Sequence, residues 1–448
     1  MEQLARIVKA YDVRGLVPDE LNAEVAESLG RAAAVELRGS AMIVGRDMRH
    51  SSEPLATAFM RGVRAQGVDT IDLGLASTDL VYYASGKLGH PGAMWTASHN
   101  PAQYNGLKLC RAGAEGVSLE SGLAEIRDRA MSRDFPDAEA EGATHRAELI
   151  DDYAEHVRSF VDIGVLQPLS VVIDAGNGMA GLVVPPVFEG LPIRVDPLYF
   201  ELDGTFPNHP ADPIQDANLV DLQRRVVGTR ADLGIAFDGD ADRMFCVDEQ
   251  GRIVPSSLVA ALISKTLLER FPGETILYNL ICSKVVPETI EAAGGQAIRT
   301  RVGHSFIKGV MKETGAIFAG EHSGHYYFRD NFRADSGLIA ALILLEALSD
   351  ARGTLSELLA PYDRYVQSGE INTEVSDQRG TMDRVAEAFA SEGDADWADG
   401  LTLNSDSWWF NIRPSNTEPV LRLNVEADDE PTMQHIRDQV LALLKQPV

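Results

Sequence analysis

Residues 231–243 read ADLGIAFDGDADR. The first half, Leu233 to Phe237, is an apolar run of strand length. The second half sets Asp238, Asp240 and Asp242 at alternate positions and closes with Arg243. An apolar run that stops abruptly in polar residues reads as a buried strand. The same phrase recurs along the chain, in AMIVGRD (41–47), SVVIDAGNGMAG (170–181), ETILYNLICS (274–283) and GAIFAGEHSGH (315–325). Helical patterns separate these runs. Strands alternating with helices predict βαβ units and mostly parallel sheets. In such sheets ligands sit beyond the carboxyl ends of the strands, so the polar residues closing each run are the candidate functional residues.

The bulk composition bounds what those residues could do. A chain of 448 residues exceeds a single core and predicts roughly two to four domains. With 45% hydrophobic and 24% charged residues, it has the material for a large core. Its 67 acidic against 40 basic residues give a formal charge of −27, which argues against nucleic acid and anionic membranes as partners. A small anion held by a local basic cluster remains compatible with that charge. Cys110, Cys246 and Cys282 lie far apart without metal-ligand spacing, which fits a reducing compartment and a cytoplasmic protein. The opening MEQLARIVKAYDVRG lacks the apolar region of a signal peptide, and no window of about 18 apolar residues predicts a membrane span.

Domain limits follow from changes of character. PDAEAEGATHRAELIDDYAEHV (136–157) reads as a polar, then helical, bridge into a second unit, and a third begins after the turn VDEQGRIVP (247–255). PYDRYVQSGEIN (361–372) opens a different tail: a helix at 381–392, strands in GLTLNS, SWWFNIRPS and EPVLRLNVEA, then a last helix from Pro431. In that helix Met433, Ile436, Val440 and Leu444 recur at helical spacing. The expected domains are 1–145, 146–248, 249–360 and 361–448.

Three carboxylates within five residues repel one another unless a cation sits among them. Hard divalent ions take oxygen ligands, so Asp238, Asp240 and Asp242 form a candidate metal site. An EF-hand loop would put the same residues at its first, third and fifth positions and Glu249 at its twelfth. Its sixth position requires glycine, and Arg243 stands there. The plain alternative is a solvated acidic turn. Arg243 beside the cluster suits a metal to which an anion also comes.

Four other stretches carry chemistry. NIRPSNTEPVLRL (411–423) offers the Arg413 guanidinium followed by Ser415, Asn416 and Thr417, a set that can wrap a phosphate, although such a turn is also common without one. It lies far from the acidic loop, so a substrate gripped at two ends is expected. GEHSGH (320–325) brackets Glu321, His322, Ser323 and His325 with glycines, and carboxylate plus hydroxyl suits a sugar's vicinal hydroxyls. Upstream, TRVGHSFI (300–307) places His304 as a ligand or a structural residue. WTASHNPAQYNG (95–106) holds Ser98, which is outside the Gly-x-Ser-x-Gly context of a serine hydrolase. Ser98 is a nucleophile, a turn residue or the carrier of a group.

TASHNP, DGDADR, GEHSGH and RPSNTEP, in this order, with YDVRG at 11–15, resemble the α-D-phosphohexomutase superfamily along nearly the whole chain. GEHSGH and SGEIN…WWFNIRPSNTEPVLRLNVEA are most similar to its phosphomannomutase or dual phosphomannomutase/phosphoglucomutase branch. Phosphoglucosamine mutases generally carry glutamine where His322 stands. The resemblance implies an α/β fold of three related domains with mixed sheets plus a C-terminal α+β, TATA-binding-protein-like domain, set like a heart around a central cleft. It implies that phospho-Ser98 gives its phosphoryl group to a hexose monophosphate. The resulting hexose 1,6-bisphosphate, which also acts as activator, turns around and returns its other phosphate. Mg²⁺ would be held by Asp238, Asp240, Asp242 and an oxygen of phospho-Ser98.

By the same resemblance Arg243 adds charge beside the transferred group and Lys108, in YNGLKL, is the general acid/base. His99 contacts the transferred phosphate and Arg14 the reacting oxygens. Arg413, Ser415, Asn416 and Thr417 hold the other phosphate, and Glu321 and Ser323 bind sugar hydroxyls. His304, His325 and Tyr11 line the cleft, and Arg422 is unassigned. Because water competes for the phosphoryl group, the tail domain is expected to close over the distal phosphate. The expected function is a mutase of mannose 6- and 1-phosphates, with glucose phosphates as further substrates and a phosphoglucosamine mutase or phosphoglucomutase as alternatives. A Mg-dependent phosphatase, a serine hydrolase or a non-catalytic sugar-phosphate- or calcium-binding protein are the rivals. The partners are hexose phosphates, with no nucleic acid and no membrane, and the chain is a monomer or weak homo-oligomer.

Overall fold

The computed structural model describes residues 3–414 and 420–445. It contains four sheets. The first comprises β1 (Val13–Leu16), β2 (Ala41–Arg46), β3 (Asp69–Leu75), β4 (Gly92–Trp95), β5 (Tyr104–Arg111), β6 (Glu115–Gly116) and β7 (Thr144–Arg146). Its order is β1-β5-β4-β2-β3-β7, with β6 on β5. The second comprises β8 (Leu169–Asp174), β9 (Ile193–Leu198), β10 (Leu233–Phe237), β11 (Met244–Asp248) and β12 (Ile253–Val254), ordered β12-β11-β10-β8-β9. The third comprises β13 (Thr275–Asn279), β14 (Gln296–Thr300), β15 (Phe318–Gly320) and β16 (Tyr326–Phe328), ordered β14-β13-β15-β16.

One plan underlies all three. Two parallel strands and a third parallel partner, β3-β2-β4, β9-β8-β10 and β14-β13-β15, are followed by a strand that turns back antiparallel: β5, β11 or β16. The sheets are mixed, as the resemblance implies, and not mostly parallel as the strand–helix alternation alone predicts. The reason is loop length. The connections 96–103, 238–243 and 321–325 are too short for a crossover of a dozen or more residues, so each makes a hairpin. These three hairpin tips are the sequences ASHNP, DGDADR and EHSGH. Each stands at the carboxyl end of a parallel strand.

The bridge at 136–157 also differs from its reading. Thr144–Arg146 pairs parallel with β3 as an edge strand of the first sheet, where the Thr70 and Thr144 hydroxyls meet at 3.0 Å. The helix of the bridge is Ile150–Arg158.

The fourth sheet comprises β17 (Val366–Gln367), β18 (Ile371–Glu374), β19 (Asp394–Asp396), β20 (Leu401–Asn404), β21 (Trp408–Pro414) and β22 (Val420–Ala427), all antiparallel. The helices Gln378–Ala388 and Glu430–Leu444 accompany it, sharing a core of Val385, Phe389, Trp408, Phe410, Ile436 and Val440. The first of these begins earlier than the 381–392 reading because the Asp377 side chain caps it, accepting from the Gly380 N–H.

A continuous core runs through the second and third sheets, including the helix Gly337–Ala351 (GLIAALILLEALSDA), which is apolar nearly all round and correspondingly buried. A separate cluster around Phe59 and Trp95 fills one face of the first sheet. Among the described residues no helix is long and apolar enough to cross a membrane.

Candidate active site

The three hairpin tips meet. In the first, Ser98 adopts a left-handed backbone conformation, φ 49°, which is costly for a residue with a side chain. Its N–H donates to the Thr96 hydroxyl at 2.9 Å. Arg49, just after β2 and 2% exposed, holds the rest of the loop. Its NH2 donates to the carbonyls of Ser98 (2.8 Å) and Asn100 (2.6 Å), its NH1 to those of Pro101 (2.8 Å) and Tyr104 (3.1 Å), and its Nε to Asp47 (3.2 Å). All five guanidinium N–H groups are thereby engaged. Its face lies 4.9 Å from the Phe206 ring, which comes from the second unit.

The second tip lies against the first. A Cβ on Gly239 would fall 2.4 Å from the Ser98 carbonyl oxygen, so this contact between loops exists only with glycine. Ser98 Oγ donates to Asp238 Oδ2 at 2.6 Å and lies 3.3 Å from His99 Nδ1 and 3.5 Å from Arg243 NH2. Arg243 Nε donates to Asp238 Oδ2 at 2.9 Å and its backbone N–H to Oδ1 at 3.2 Å. Lys108 Nζ lies between Asp240 (2.7 Å) and Asp242 (2.6 Å). The Thr78 hydroxyl, at the N-terminus of helix Thr78–Leu88, donates to Asp240 at 2.5 Å. Arg14 reaches the same loop, donating from NH1 to Ala97 O at 3.0 Å and to Asn100 Oδ1, while its Nε pairs with Asp12.

Burial and neighbouring charge act in opposition here. Burial pushes Asp238 up to about 7, although Arg243 pulls it down. Burial alone would raise Asp240, but the Lys108 ammonium outweighs it and holds that carboxyl below its usual range. For Lys108, burial favours the neutral amine, yet Asp240 and Asp242 keep it protonated well above its ordinary pKa. His99 is driven well down by burial and then by Arg243 and Arg14, so its ring is neutral at pH 7.

The three aspartates fit a metal ion. Their carboxylate oxygens lie within 4.8 Å of one another. Oδ1 of Asp240 and Oδ1 of Asp242 are buried without a hydrogen-bond partner among the described residues. An all-oxygen donor set with two unpartnered carboxylate oxygens suits a hard divalent cation. Lys108 is the counter-charge in this arrangement. The EF-hand alternative fails, because β10 and β11 flank the loop and Glu249 is tied to Ser356.

The third tip supplies the other wall. The backbone N–H of Met244 donates to Gly324 O at 3.1 Å, joining the second and third loops. Glu321 is buried, with Tyr327 OH and Asn279 Nδ2 (3.1 Å) donating to its two oxygens, so the carboxylate is fixed in orientation. Ser323 is half-buried in the same turn. His325 Nδ1 lies 3.0 Å from Asp335 Oδ2 and 3.9 Å from Asp242 Oδ1. Burial would lower the His325 pKa, but Asp242 and Asp335 raise it. Lys308 Nζ pairs with Asp335 Oδ1 at 2.9 Å and lies 3.8 Å from the Tyr82 ring centroid. Tyr11 packs edge-on against Phe306, and its hydroxyl pKa is raised by burial and then by Glu321.

At the far end Arg413, on β21, pairs with Glu370 at 3.2 Å, and Arg422, on β22, pairs with the same carboxylate at 3.3 Å. Ser415, Asn416 and Thr417 lie outside the described residues. His304 opens the helix His304–Thr314, and its side chain lies outside them too.

The structure therefore brings Ser98, His99, Lys108, Arg14, Arg243, His325 and the three aspartates into one cluster. Sequence reading missed Arg49, Thr78, Lys308, Asp335 and Glu370. Arg49 had a signal, since it follows the 41–47 strand just as Asp238 follows its own. Glu370 had one too, since it stands in the SGEIN stretch that carries part of the resemblance; Thr78, Lys308 and Asp335 had none, because they come from helices and loops distant in sequence.

Sequence models of known families match almost the whole chain. "Phosphoglucomutase/phosphomannomutase, alpha/beta/alpha domain I" covers residues 5–136, domain II 151–251, domain III 255–365 and the C-terminal domain 370–443. A phosphomannomutase of Salmonella typhimurium is 38% identical over 98% of this chain and 98% of its own. A phosphomannomutase/phosphoglucomutase of Pseudomonas aeruginosa is 37% identical over 97% of this chain and 94% of its own. The crystal structure of a phosphoglucomutase/phosphomannomutase family protein from Burkholderia thailandensis superposes with a TM-score of 0.90 at 32% identity, covering 99% of this chain and 97% of that one.

Proposed function

This chain belongs to the phosphoglucomutase/phosphomannomutase family, and on that premise we propose that it interconverts mannose 6-phosphate and mannose 1-phosphate through phospho-Ser98 and a hexose 1,6-bisphosphate. One observation carries the reading: Ser98 Oγ donates to Asp238 at 2.6 Å inside a buried carboxylate triad. A hydrolytic serine would be activated by a histidine backed by an acid. Ser98 instead meets a metal-type carboxylate, with Arg243 and a neutral His99 beside it. Those are the surroundings of an oxygen that carries a phosphoryl group.

Phosphoryl transfer depends on positioning and on charge stabilisation at a loose transition state. Asp238, Asp240 and Asp242 would hold Mg²⁺, which would supply Lewis acidity toward the transferring group. Arg243 and Arg14 bring guanidinium charge to its remaining oxygens. Arg49 fixes the loop so that Ser98 Oγ stays at one point while the group leaves and returns. As the phosphoryl group departs, Ser98 Oγ takes up a proton from the Lys108 ammonium, and the accepting sugar hydroxyl gives its proton to the Lys108 amine so formed, which restores the ammonium; the P–Oγ bond breaks as the new P–O bond to the sugar forms. Glu321 and Ser323 would receive sugar hydroxyls, and Arg413, Ser415, Asn416 and Thr417 the phosphate that is not reacting. The fixed orientation of Glu321 suits a contact used in both orientations of the substrate.

Glucose phosphates are the second substrate class, supported by the dual name of the Pseudomonas relative. The cluster draws its residues from one chain, so a monomer suffices as the working unit, and a monomer or weak homo-oligomer is proposed. The three cysteines are free and buried, which supports a reducing, cytoplasmic setting. The test follows mannose 1-phosphate with Mg²⁺ and a trace of bisphosphate by ³¹P NMR. The 6-phosphate should appear, together with a phosphorylated Ser98 by intact mass. Inorganic phosphate alone would mean a phosphatase, and an unchanged spectrum a binding protein. Glucose 1-phosphate run beside it ranks the two sugars.

A further inference from the structure

We propose that Thr78 is a positioning residue for the metal site. It aims Asp240 so that this carboxylate offers a cation one oxygen only, and the site thereby selects Mg²⁺ over Ca²⁺. The inference rests on the Mg²⁺ of the mutase reading above and concerns which oxygens the site has to give.

Thr78 opens the helix between β3 and β4, and Asp240 lies in the loop between β10 and β11. Two bonds join them. The Thr78 N–H donates to the Asp240 carbonyl at 3.1 Å, and the Thr78 hydroxyl donates to Asp240 Oδ2 at 2.5 Å. Both residues are fully buried. One residue thus fixes the main chain and the side chain of Asp240 together, so the carboxylate cannot rotate without breaking the second bond.

The same oxygen takes another donor. Lys108 Nζ donates to Asp240 Oδ2 at 2.7 Å and to Asp242 Oδ2 at 2.6 Å. A carboxylate oxygen has about two lone-pair sites, so Asp240 Oδ2 is filled. Oδ2 of Asp238 is likewise taken, by Ser98 and Arg243. What Asp240 and Asp242 still offer is Oδ1, which on each has no hydrogen-bond partner among the described residues. Lys108 gives up and regains a proton in the mechanism above. Thr78 is therefore the donor on Asp240 that stays the same throughout.

The turn that carries Thr78 is itself held firmly. Ser77 caps the helix, accepting from the Leu80 N–H at 3.3 Å. Asp79 accepts from the Ser336 hydroxyl at 2.9 Å and from the hydroxyls of Tyr153 and Ser77. Tyr153 and Ser336 come from the second and third units. The branched β-carbon of threonine further narrows its rotamers.

One oxygen per carboxylate is a restriction on the ion. Mg²⁺ is small, demands near-ideal octahedral geometry and fills its remaining positions with water or phosphate oxygens. Ca²⁺ takes about six to eight oxygens and readily uses both oxygens of a carboxylate. Occupying the Oδ2 atoms withholds what Ca²⁺ needs and costs Mg²⁺ nothing.

The test titrates full-length, dephosphorylated protein with Mn²⁺, an octahedral stand-in for Mg²⁺ followed by electron paramagnetic resonance, and then displaces it with Mg²⁺ or with Ca²⁺. Thr78→Val keeps the shape and removes the hydroxyl. It should weaken Mn²⁺ and Mg²⁺ by about tenfold or more, the usual effect of losing a partner behind a metal ligand. Ca²⁺ affinity should move by about threefold or less, so the preference for Mg²⁺ falls. Thr78→Ser restores the donor and should bring Mg²⁺ affinity back to within about threefold. Thr78→Ala must move both affinities in the same directions as Thr78→Val, which guards against a packing fault in the valine variant. In turnover, the loss should appear in the Mg²⁺ concentration giving half the maximal rate, with KM for the sugar phosphate nearly unchanged. Unchanged Mg²⁺ affinity in both donorless variants overturns the inference. So does equal weakening of Mg²⁺ and Ca²⁺, a Thr78→Ser as weak as Thr78→Val, or unmodified protein that binds no Mn²⁺. Turnover of mannose 1-phosphate by the unmodified enzyme is scored separately. Turnover with no shift in ion preference sinks this inference alone, and a shifted preference without turnover sinks the mutase reading alone.

Discussion

At the reacting end the donors are engaged; at the gripping end they are in surplus. Arg49 has each of its N–H groups on a loop carbonyl or Asp47, Arg243 is committed to Asp238, and Lys108 is shared between Asp240 and Asp242. Arg413 and Arg422 face each other across one carboxylate, each with an Nε that has no hydrogen-bond partner among the described residues. The first arrangement suits an oxygen that must not move while a phosphoryl group leaves and returns, since small misplacements cost large factors in rate. The second suits a contact that binds without taking part in the transfer. The two ends also differ in construction. The reacting end joins three hairpin tips from three sheets, locked by backbone contacts such as Gly239 against Ser98. The gripping end draws on two neighbouring strands and the residue that precedes a third.

The severest way to break this comparison is to remove the carrier. Ser98→Ala should lower kcat by about 10⁴-fold or more while thermal stability stays near that of the unmodified protein, read from turnover and melting. Next comes the clamp. Arg49→Lys keeps a charge but offers three donors in place of five, so kcat should fall about 10²-fold with KM nearly unchanged. A KM rise as large as the kcat loss would mean that Arg49 serves general integrity and not the placement of Ser98. The gripping end should give the opposite split. Arg413→Gln should raise KM about tenfold or more and touch kcat less, because a contact made equally in ground and transition states acts on binding. Equal losses in kcat there would erase the distinction between the two ends.

The smallest effect on activity comes from beneath the reacting end. Asp79 is buried, and the hydroxyls of Ser77, Tyr153 and Ser336 donate to it. Burial pushes its carboxyl up to about 6 in spite of those donors. The folded protein therefore holds this proton more tightly than the unfolded chain. Its contribution to stability is fully present below about pH 4 and is lost as pH rises to about 6, by roughly 3 kcal/mol at most. Asp79→Asn should flatten that part of the stability-against-pH curve measured by denaturant titration. A parallel, merely displaced curve would contradict the assignment.

Much of the fold was written in local pattern. Apolar runs such as Leu233–Phe237 and Ile43–Val44 marked parallel strands, and the polar residues closing those runs marked the loops that converge. The hairpin after each run was obscured because the antiparallel partner strands, such as Tyr104–Arg111 and Met244–Asp248, carry the same apolar character as parallel ones. Among site residues, Asp238, Asp240, Asp242, Ser98, His99 and Lys108 all came from contiguous motifs. Asp335 did not, because an acidic residue in a loop looks alike whether it faces solvent or a buried histidine; Glu370 stood inside the SGEIN stretch, yet nothing there showed that it would face two guanidiniums. Arg49 lay between the two cases, in the right place after a strand but in no recognised motif.

By itself, then, the sequence specified residue chemistry in short range: which strands were apolar, where they ended, and which carboxylates, hydroxyls and guanidiniums followed. Assembly decided what those groups experience. Lys108 is a strand lysine until β5 lays it between two aspartates, and Arg422 is a strand arginine until β21 sets Arg413 against it. The physical reason is that protonation and anion affinity depend on burial and on charges a few ångströms away, and those neighbours come from segments far apart along the chain.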